Sequence, residues 1–187
     1  MAARLVILDR DGVLNAESPD HIKSPAEWQP LPGSLEAVAR LNRAGWRVAL
    51  ATNQSGIARG LFSHDDFAAI QRHIDERLAA LGGRIDPVLY SPDGPGSDSP
   101  MRKPRPGMLE EIARRLGITL TGVPFVGDSC RDVAAARAAG AMPVLVRTGN
   151  GEATLAAGED LADVSVYPDL AAFVDAWLAI HSEEASR

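Results

Sequence analysis

Cysteine is nearly absent from this chain, Cys130 being the only one in 187 residues. An internal disulfide is therefore excluded, as is a metal site built mainly from thiolates. Long apolar runs are missing too. Only four apolar residues, Leu5 to Leu8, stand between Arg4 and Asp9, far short of a signal-peptide core or a membrane span. A cytoplasmic protein with no membrane partner is expected. Basic runs are lacking as well: the net charge is −6 and the arginines are scattered, so the electrostatic footprint of a nucleic-acid binder is not there. Lysine is scarce, with Lys23 and Lys103 the only two among 19 basic residues.

What is present reads as one globular domain over residues 1–187. The chain is 45% hydrophobic and 24% charged, enough to build a sizeable core, and it shows neither an internal repeat nor a dividing linker. Strand and helix signals alternate, the pattern of an α/β protein with a mainly parallel sheet in a Rossmann-like three-layer sandwich. Strands are expected at 5–9, 46–52, 87–90, 123–127, 142–146 and 164–167. Residues 34–44 carry Leu35, Val38 and Leu41 on one helical face, with Gly45 as the stop. Ser63 caps a helix whose stripe is Phe67, Ile70, Ile74, Leu78 and Leu81, ended by Gly82-Gly83. Pro106 opens a third helix through Leu109, Ile112 and Leu116, residues 129–139 form an alanine-rich fourth, and Leu170, Phe173, Val174, Trp177 and Leu178 mark the last. Residues 91–107, rich in Pro, Gly, Ser and Asp, form a loop.

The sharpest signal follows the first strand, where the apolar run ends in Asp9-Arg10-Asp11-Gly12. Residues two apart in an extended segment project the same way, and two carboxylates so close are costly without a cation or proton between them. A magnesium ion serving phosphate chemistry supplies that cation. Ligands of open α/β sheets bind beyond the carboxyl ends of the strands. Those ends carry Asp9 and Asp11, Thr52-Asn53-Gln54-Ser55-Gly56, Arg102-Lys103-Pro104 in the loop after strand three, and Gly127-Asp128.

Phosphate-ester hydrolysis needs a nucleophile, an acid for the leaving oxygen and positive charge around the phosphoryl oxygens. Asp9 fits the nucleophile, forming an aspartyl-phosphate. Asp11 fits the group that protonates the leaving alkoxide and then takes a proton from water. The Thr52 hydroxyl and the Lys103 ammonium hold phosphoryl oxygens. Asp9, Asp128 and Asp11, the last through its backbone carbonyl, ligate magnesium. A lysine kept in a chain that otherwise uses arginine is informative where a compact point charge suits a phosphate.

These residues, in order and spacing, resemble the four motifs of the haloacid dehalogenase-like phosphatases, over nearly the whole chain. More narrowly, the stretch Thr52 to Gly60, the pair Arg102-Lys103 with Pro106-Gly107-Met108-Leu109, and Val144 to Gly149 are similar to the D-glycero-D-manno-heptose-1,7-bisphosphate 7-phosphatases, magnesium-dependent enzymes of bacterial ADP-heptose synthesis for lipopolysaccharide. The resemblance implies a small phosphorylated sugar as substrate, with its 7-phosphate removed. It also implies recognition of the sugar by Arg102 and the loop from Glu17 to Asp20, with Asn53, Gln54 and Ser55 completing the short-range contacts. No separate cap domain fits between Asp11 and Gly33 or between Tyr90 and Pro106, and a monomer is expected. Members of that family often bind zinc through three cysteines and a histidine after strand three. Residues 91–101 here hold no Cys or His, so no zinc is expected, and the order of that loop needs another source.

Other enzymes and other classes remain open on the residues alone. Histidinol-phosphate phosphatase is the alternative enzyme. A phospho-acceptor signalling domain also combines Asp, Thr and Lys on an α/β sheet, but its acceptor sits on a middle strand of the chain. An inactive binding protein of the same fold would have lost a carboxylate, and none is lost. Asp132 reads either as the partner of Ser129 in a capping box or as a residue supporting the site. His64, His73 and His181 lie outside the site, while His21 lies near its mouth.

Overall fold

The computed structural model describes residues 4–157 and 161–184. Six strands, β1 (Leu5–Leu8), β2 (Arg47–Asn53), β3 (Val88–Ser91), β4 (Pro124–Gly127), β5 (Met142–Val146) and β6 (Ser165–Tyr167), pair in parallel in the order β3-β2-β1-β4-β5-β6. The helices are α1 (Ser34–Arg43), α2 (His64–Ala80), α3 (Gly107–Leu116), α4 (Cys130–Ala139), α5 (Gly151–Ala156) and α6 (Leu170–Glu184).

The unbroken apolar run of β1 follows from cover on both faces. Val6 and Leu8 pack with Leu35, Val38 and Leu41 of α1, Ile70, Ile74 and Leu78 of α2, and Phe173 and Val174 of α6. Leu5 and Ile7 point the other way, toward Met108, Leu109 and Ile112 of α3 and Ala135 and Ala136 of α4. The result is a three-layer sandwich in which each fully buried Leu or Ile contributes roughly 1.5–3 kcal/mol. Ser63 starts α2 as its sequence implies: its hydroxyl accepts from the Asp66 N–H at 3.1 Å, and the Asp66 carboxylate accepts from the Ser63 N–H at 2.8 Å.

Two differences from the sequence expectation have simple causes. Leu81 does not extend the buried stripe of α2; it follows the last helical turn as the C-cap and is 37% exposed. Helix α5 is absent from the expectation because its six residues follow Gly149-Asn150, which reads as a turn, and carry no apolar stripe. The stretch 9–33 holds one 3-10 turn, Pro25–Glu27, and residues 92–106 hold no helix or strand, so neither insertion builds a separate cap layer. Among the described residues no helix is long and apolar enough to cross a membrane.

From β1 the chain adds β2 and β3 on one side and then returns to place β4 on the other. That reversal opens a crevice above the carboxyl ends of β1 and β4, where ligands of doubly wound sheets bind.

Candidate active site

Asp9 leaves β1 while still tied to the sheet, its N–H donating to Val126 O at 2.9 Å. The chain then coils tightly, with the N–H groups of Val13, Leu14 and Asn15 all directed at the Arg10 carbonyl. This coil needs Gly12 at φ +79, and a Cβ there would stand 2.0 Å from Asp128 Oδ2. Gly149, at φ +59, approaches the same oxygen from the loop after β5, where a Cβ would come within 2.2 Å. Asp128 is thus bracketed by two residues without side chains. Its Oδ2 accepts from the Asn150 N–H at 2.7 Å and from Asn150 Nδ2 at 3.1 Å, while its Oδ1 makes no hydrogen bond among the described residues.

Lys103 is the electrostatic centre of the site. Its side chain is 2% exposed, and its ammonium lies 2.9 Å from Asp9 Oδ1 and 2.7 Å from Asp132 Oδ1 and donates to Ala51 O at 2.9 Å. Two ion pairs and one hydrogen bond thus surround the ammonium. Asn53, at the end of β2, fixes the lysine backbone: its Oδ1 accepts from the Lys103 N–H and its Nδ2 donates to the Lys103 carbonyl, both at 3.0 Å. Asp132 resolves into both of its sequence readings. Its Oδ2 accepts from the Ser129 hydroxyl at 2.6 Å and from the Ser129 N–H at 3.0 Å at the start of α4, while its Oδ1 faces Lys103.

The charges perturb one another strongly. Burial raises the Asp9 carboxyl well above the ordinary range; Lys103 opposes this, and the neighbouring Asp132, Asp128 and Asp11 add to it. Burial would lower the Lys103 pKa, but Asp132 and Asp9 outweigh it and hold the ammonium above its usual value. Asp132 ends below the usual carboxylate range because Lys103 and the Ser129 hydrogen bonds overcome its burial. Asp128 is pushed up to about 6, by burial first and then by Asp132. Glu17 is pushed up to about 7, by partial burial and by Asp11 and Asp128. Carboxylates raised in this way hold an excess of negative charge that a cation relieves.

Of the residues expected from sequence, Asp9, Asp11, Glu17, Thr52, Asn53, Lys103 and Asp128 line one polar cleft of about 70 Å³. Asp20, Gln54, Ser55 and Arg102 do not line it. Gln54 is buried beneath the cleft, donating from Nε2 to Asp11 Oδ2 at 2.8 Å and to Thr52 Oγ1 at 3.0 Å, so it orients two cleft residues. Arg102 donates to Asp93 O at 2.7 Å; burial and the adjacent Arg131 guanidinium lower its pKa.

The acidic oxygens close enough to share a cation come from Asp9, Asp128 and Asp132, within 4.8 Å of one another, and not from the Asp11 side chain. The Asp11 oxygens are taken instead by Arg10, Asn15 and Gln54. Asp132 gives Oδ2 to Ser129 and Oδ1 to the ion pair with Lys103, whereas Asp9 and Asp128 each keep one oxygen without a hydrogen bond or ion pair among the described residues, so these two are the better placed to bind a metal. Sequence reasoning missed Asn150 and Arg131, which also line the cleft. Asn150 carries no local signal, and Arg131 stands out only by lying one helical turn or less from Asp128.

The loop without zinc ligands is ordered by arginines. Arg102 reaches Asp93 O, Arg105 donates to Ser97 O at 2.7 Å and pairs with Asp98 at 3.0 Å, and the Ser91 hydroxyl donates to Asp93 Oδ2 at 2.8 Å.

Comparison with known proteins agrees with this geometry. A family described as HAD-hydrolase-like matches residues 100–173. D-glycero-beta-D-manno-heptose-1,7-bisphosphate 7-phosphatase of Bordetella bronchiseptica is 52% identical over 172 residues, covering 92% of this chain and 96% of the relative. The Pseudomonas aeruginosa protein of the same name is 48% identical, covering 95% and 99%. A crystal structure of D,D-heptose 1,7-bisphosphate phosphatase from B. bronchiseptica, complexed with magnesium and phosphate, has a TM-score of 0.92 at 51% identity and covers 96% of this chain and 99% of that one. With half of its residues shared over nearly its full length, the chain belongs to the D-glycero-D-manno-heptose-1,7-bisphosphate 7-phosphatase family of HAD-like hydrolases.

Proposed function

We propose that this chain is a magnesium-dependent phosphomonoesterase that removes the 7-phosphate of D-glycero-D-manno-heptose 1,7-bisphosphate, with Asp9 as nucleophile. The observation that carries this reading is the meeting of Asp9, Asp11, Thr52, Lys103 and Asp128 at one cleft. An Asp9 oxygen attacks phosphorus and the bond from phosphorus to the sugar oxygen breaks, while Asp11 gives that oxygen a proton. Asp11 then takes a proton from the water that attacks the aspartyl-phosphate, releasing inorganic phosphate and restoring Asp9.

Thr52 Oγ1 already accepts from Gln54, so its hydroxyl proton is left for a phosphoryl oxygen. Lys103 balances the charge on Asp9. Asp9, Asp128 and the Asp11 carbonyl present only oxygen donors, which suit a hard cation; bound there, magnesium offsets the charge of the carboxylates and the phosphoryl group. A cleft of about 70 Å³ takes a phosphoryl group and leaves the sugar and second phosphate at the rim, beside Glu17, Arg131 and Arg102.

The test is phosphate release from heptose 1,7-bisphosphate, the two heptose monophosphates and histidinol phosphate, with and without magnesium. The bisphosphate should turn over fastest, only with magnesium, and Asp9→Asn should show no turnover above background. Equal rates on all four would reject the substrate, and an active Asp9→Asn would reject the nucleophile.

A further inference from the structure

Arg10, the residue between the two motif aspartates, is 1% exposed and does not line the cleft. Its guanidinium forks onto the Asp11 carboxylate, Nε donating to Oδ1 at 3.1 Å and Nη2 to Oδ2 at 3.2 Å. Nη2 also donates to Gln54 Oε1 at 3.1 Å, and Gln54 returns a bond of 2.8 Å from Nε2 to Asp11 Oδ2. Asn15 Nδ2 adds a fourth donor to Asp11, on Oδ1 at 2.9 Å. Both Asp11 oxygens therefore carry two N–H donors, the full complement for an ionised carboxylate, and one of these bonds gives way when the carboxyl takes up the proton it delivers.

The remaining surroundings do not explain why an arginine is here. Nη1 is buried with no hydrogen-bond partner among the described residues, a loss that a residue kept only to fill space would not incur. The Phe67 ring, 5.6 Å from Cζ, covers the guanidinium. The planar fork is what a lysine or an apolar side chain lacks.

We propose that Arg10 is a positioning residue for proton transfer, holding the Asp11 carboxyl at a fixed place and angle relative to the Asp9 nucleophile, with Gln54 tying that placement to Thr52. Arg10 does not meet the substrate. Its removal leaves Asp11 with only the Asn15 and Gln54 donors, one on each oxygen, so the carboxyl is held less firmly, while Gln54 keeps its bond to Thr52 and Lys103 its own partners. The proposal rests on the reading of Asp11 as the group that protonates the leaving oxygen.

The test compares leaving groups. An alkyl phosphate departs as an alkoxide and needs a proton, whereas p-nitrophenyl phosphate departs as a stable phenolate and does not. For Arg10→Met, kcat/KM should fall roughly 10²-fold on the sugar phosphate, the scale of a lost acid-base contribution, and no more than about threefold on p-nitrophenyl phosphate. Inhibition by inorganic phosphate should be unchanged. Arg10→Lys keeps the buried cation and loses the fork, so it should show the same split and serves if the Met variant folds poorly. Equal losses on both esters, or wild-type behaviour of Arg10→Lys, would overturn the proposal. Asp11→Asn run alongside separates the two ideas: no leaving-group split in that variant rejects the role of Asp11 itself, whereas a split there but not in the Arg10 variants rejects only the positioning role.

Discussion

Replacing Lys103 by Met removes a buried ammonium that two buried carboxylates and a carbonyl surround. Methionine fills a similar volume, so the loss is one of charge and not of packing. Removing one partner of a buried pair leaves the other uncompensated and costs roughly 3–5 kcal/mol. In a chain of this size each kcal/mol moves Tm by about 2–4 °C, so metal-free Lys103→Met should melt roughly 10 °C below wild type at pH 7.5.

Because the folded pKa of Lys103 is raised, its contribution to wild-type stability is full below its unfolded pKa and is lost only as pH rises through the folded value. In the variant, acid protonates Asp9 and Asp132 and relieves the unpaired charge. The gap between the two proteins should therefore narrow between pH 7.5 and 5. Thermal unfolding at both pH values, without divalent cations, measures it. A difference of under about 2 °C at pH 7.5 would mean that the attraction to Asp9 and Asp132 only repays the burial of the three charges, and the account of Lys103 as the electrostatic centre would fail.

Asp128, raised to about 6 when folded, costs stability in its ionised form. Metal-free protein should gain thermal stability as pH falls from 7.5 to 5.5, with a weaker trend in Asp128→Asn, and magnesium should raise Tm more at pH 7.5 than at 5.5. A magnesium gain that is larger at pH 5.5 would contradict this. Gly149→Ala, whose new Cβ would meet Asp128 Oδ2 at 2.2 Å, should weaken magnesium activation at least roughly tenfold, in the range seen when groups behind metal ligands are disturbed; an unchanged activation constant would show that the Asp128 cradle is looser than drawn. Elemental analysis of the purified protein should find far less than one equivalent of zinc, since residues 91–101 supply no soft ligand, and a stoichiometric amount would identify a site elsewhere.

The parts of this molecule legible in its sequence are those where one local signal decides the outcome. β1 reads from four apolar residues because cover on both faces leaves no polar alternation to interpret. The cap at Ser63 reads from a hydroxyl and a carboxylate three residues apart. Asp9, Thr52, Lys103 and Asp128 read from their places after strands, because the sheet brings strand ends together. Gln54 shows the limit of that logic. It follows the right element, yet it points beneath the cleft to Asp11 and Thr52. Which way a side chain leaves a loop depends on donors and acceptors distant in sequence. Asn150, 22 residues from the carboxylate that it holds, was invisible for the same reason.

The reciprocal bonds between the Asn53 amide and the Lys103 backbone have a consequence for how this fold tolerates change. They act as one more rung of β-ladder, made by a side chain, and they anchor the segment at Lys103 and not at its tip. Residues inserted or deleted between Ser91 and Arg102 would alter the span of the excursion without shifting its anchor. The excursion can thus change in length and in bracing while Lys103 stays in register with Asp9.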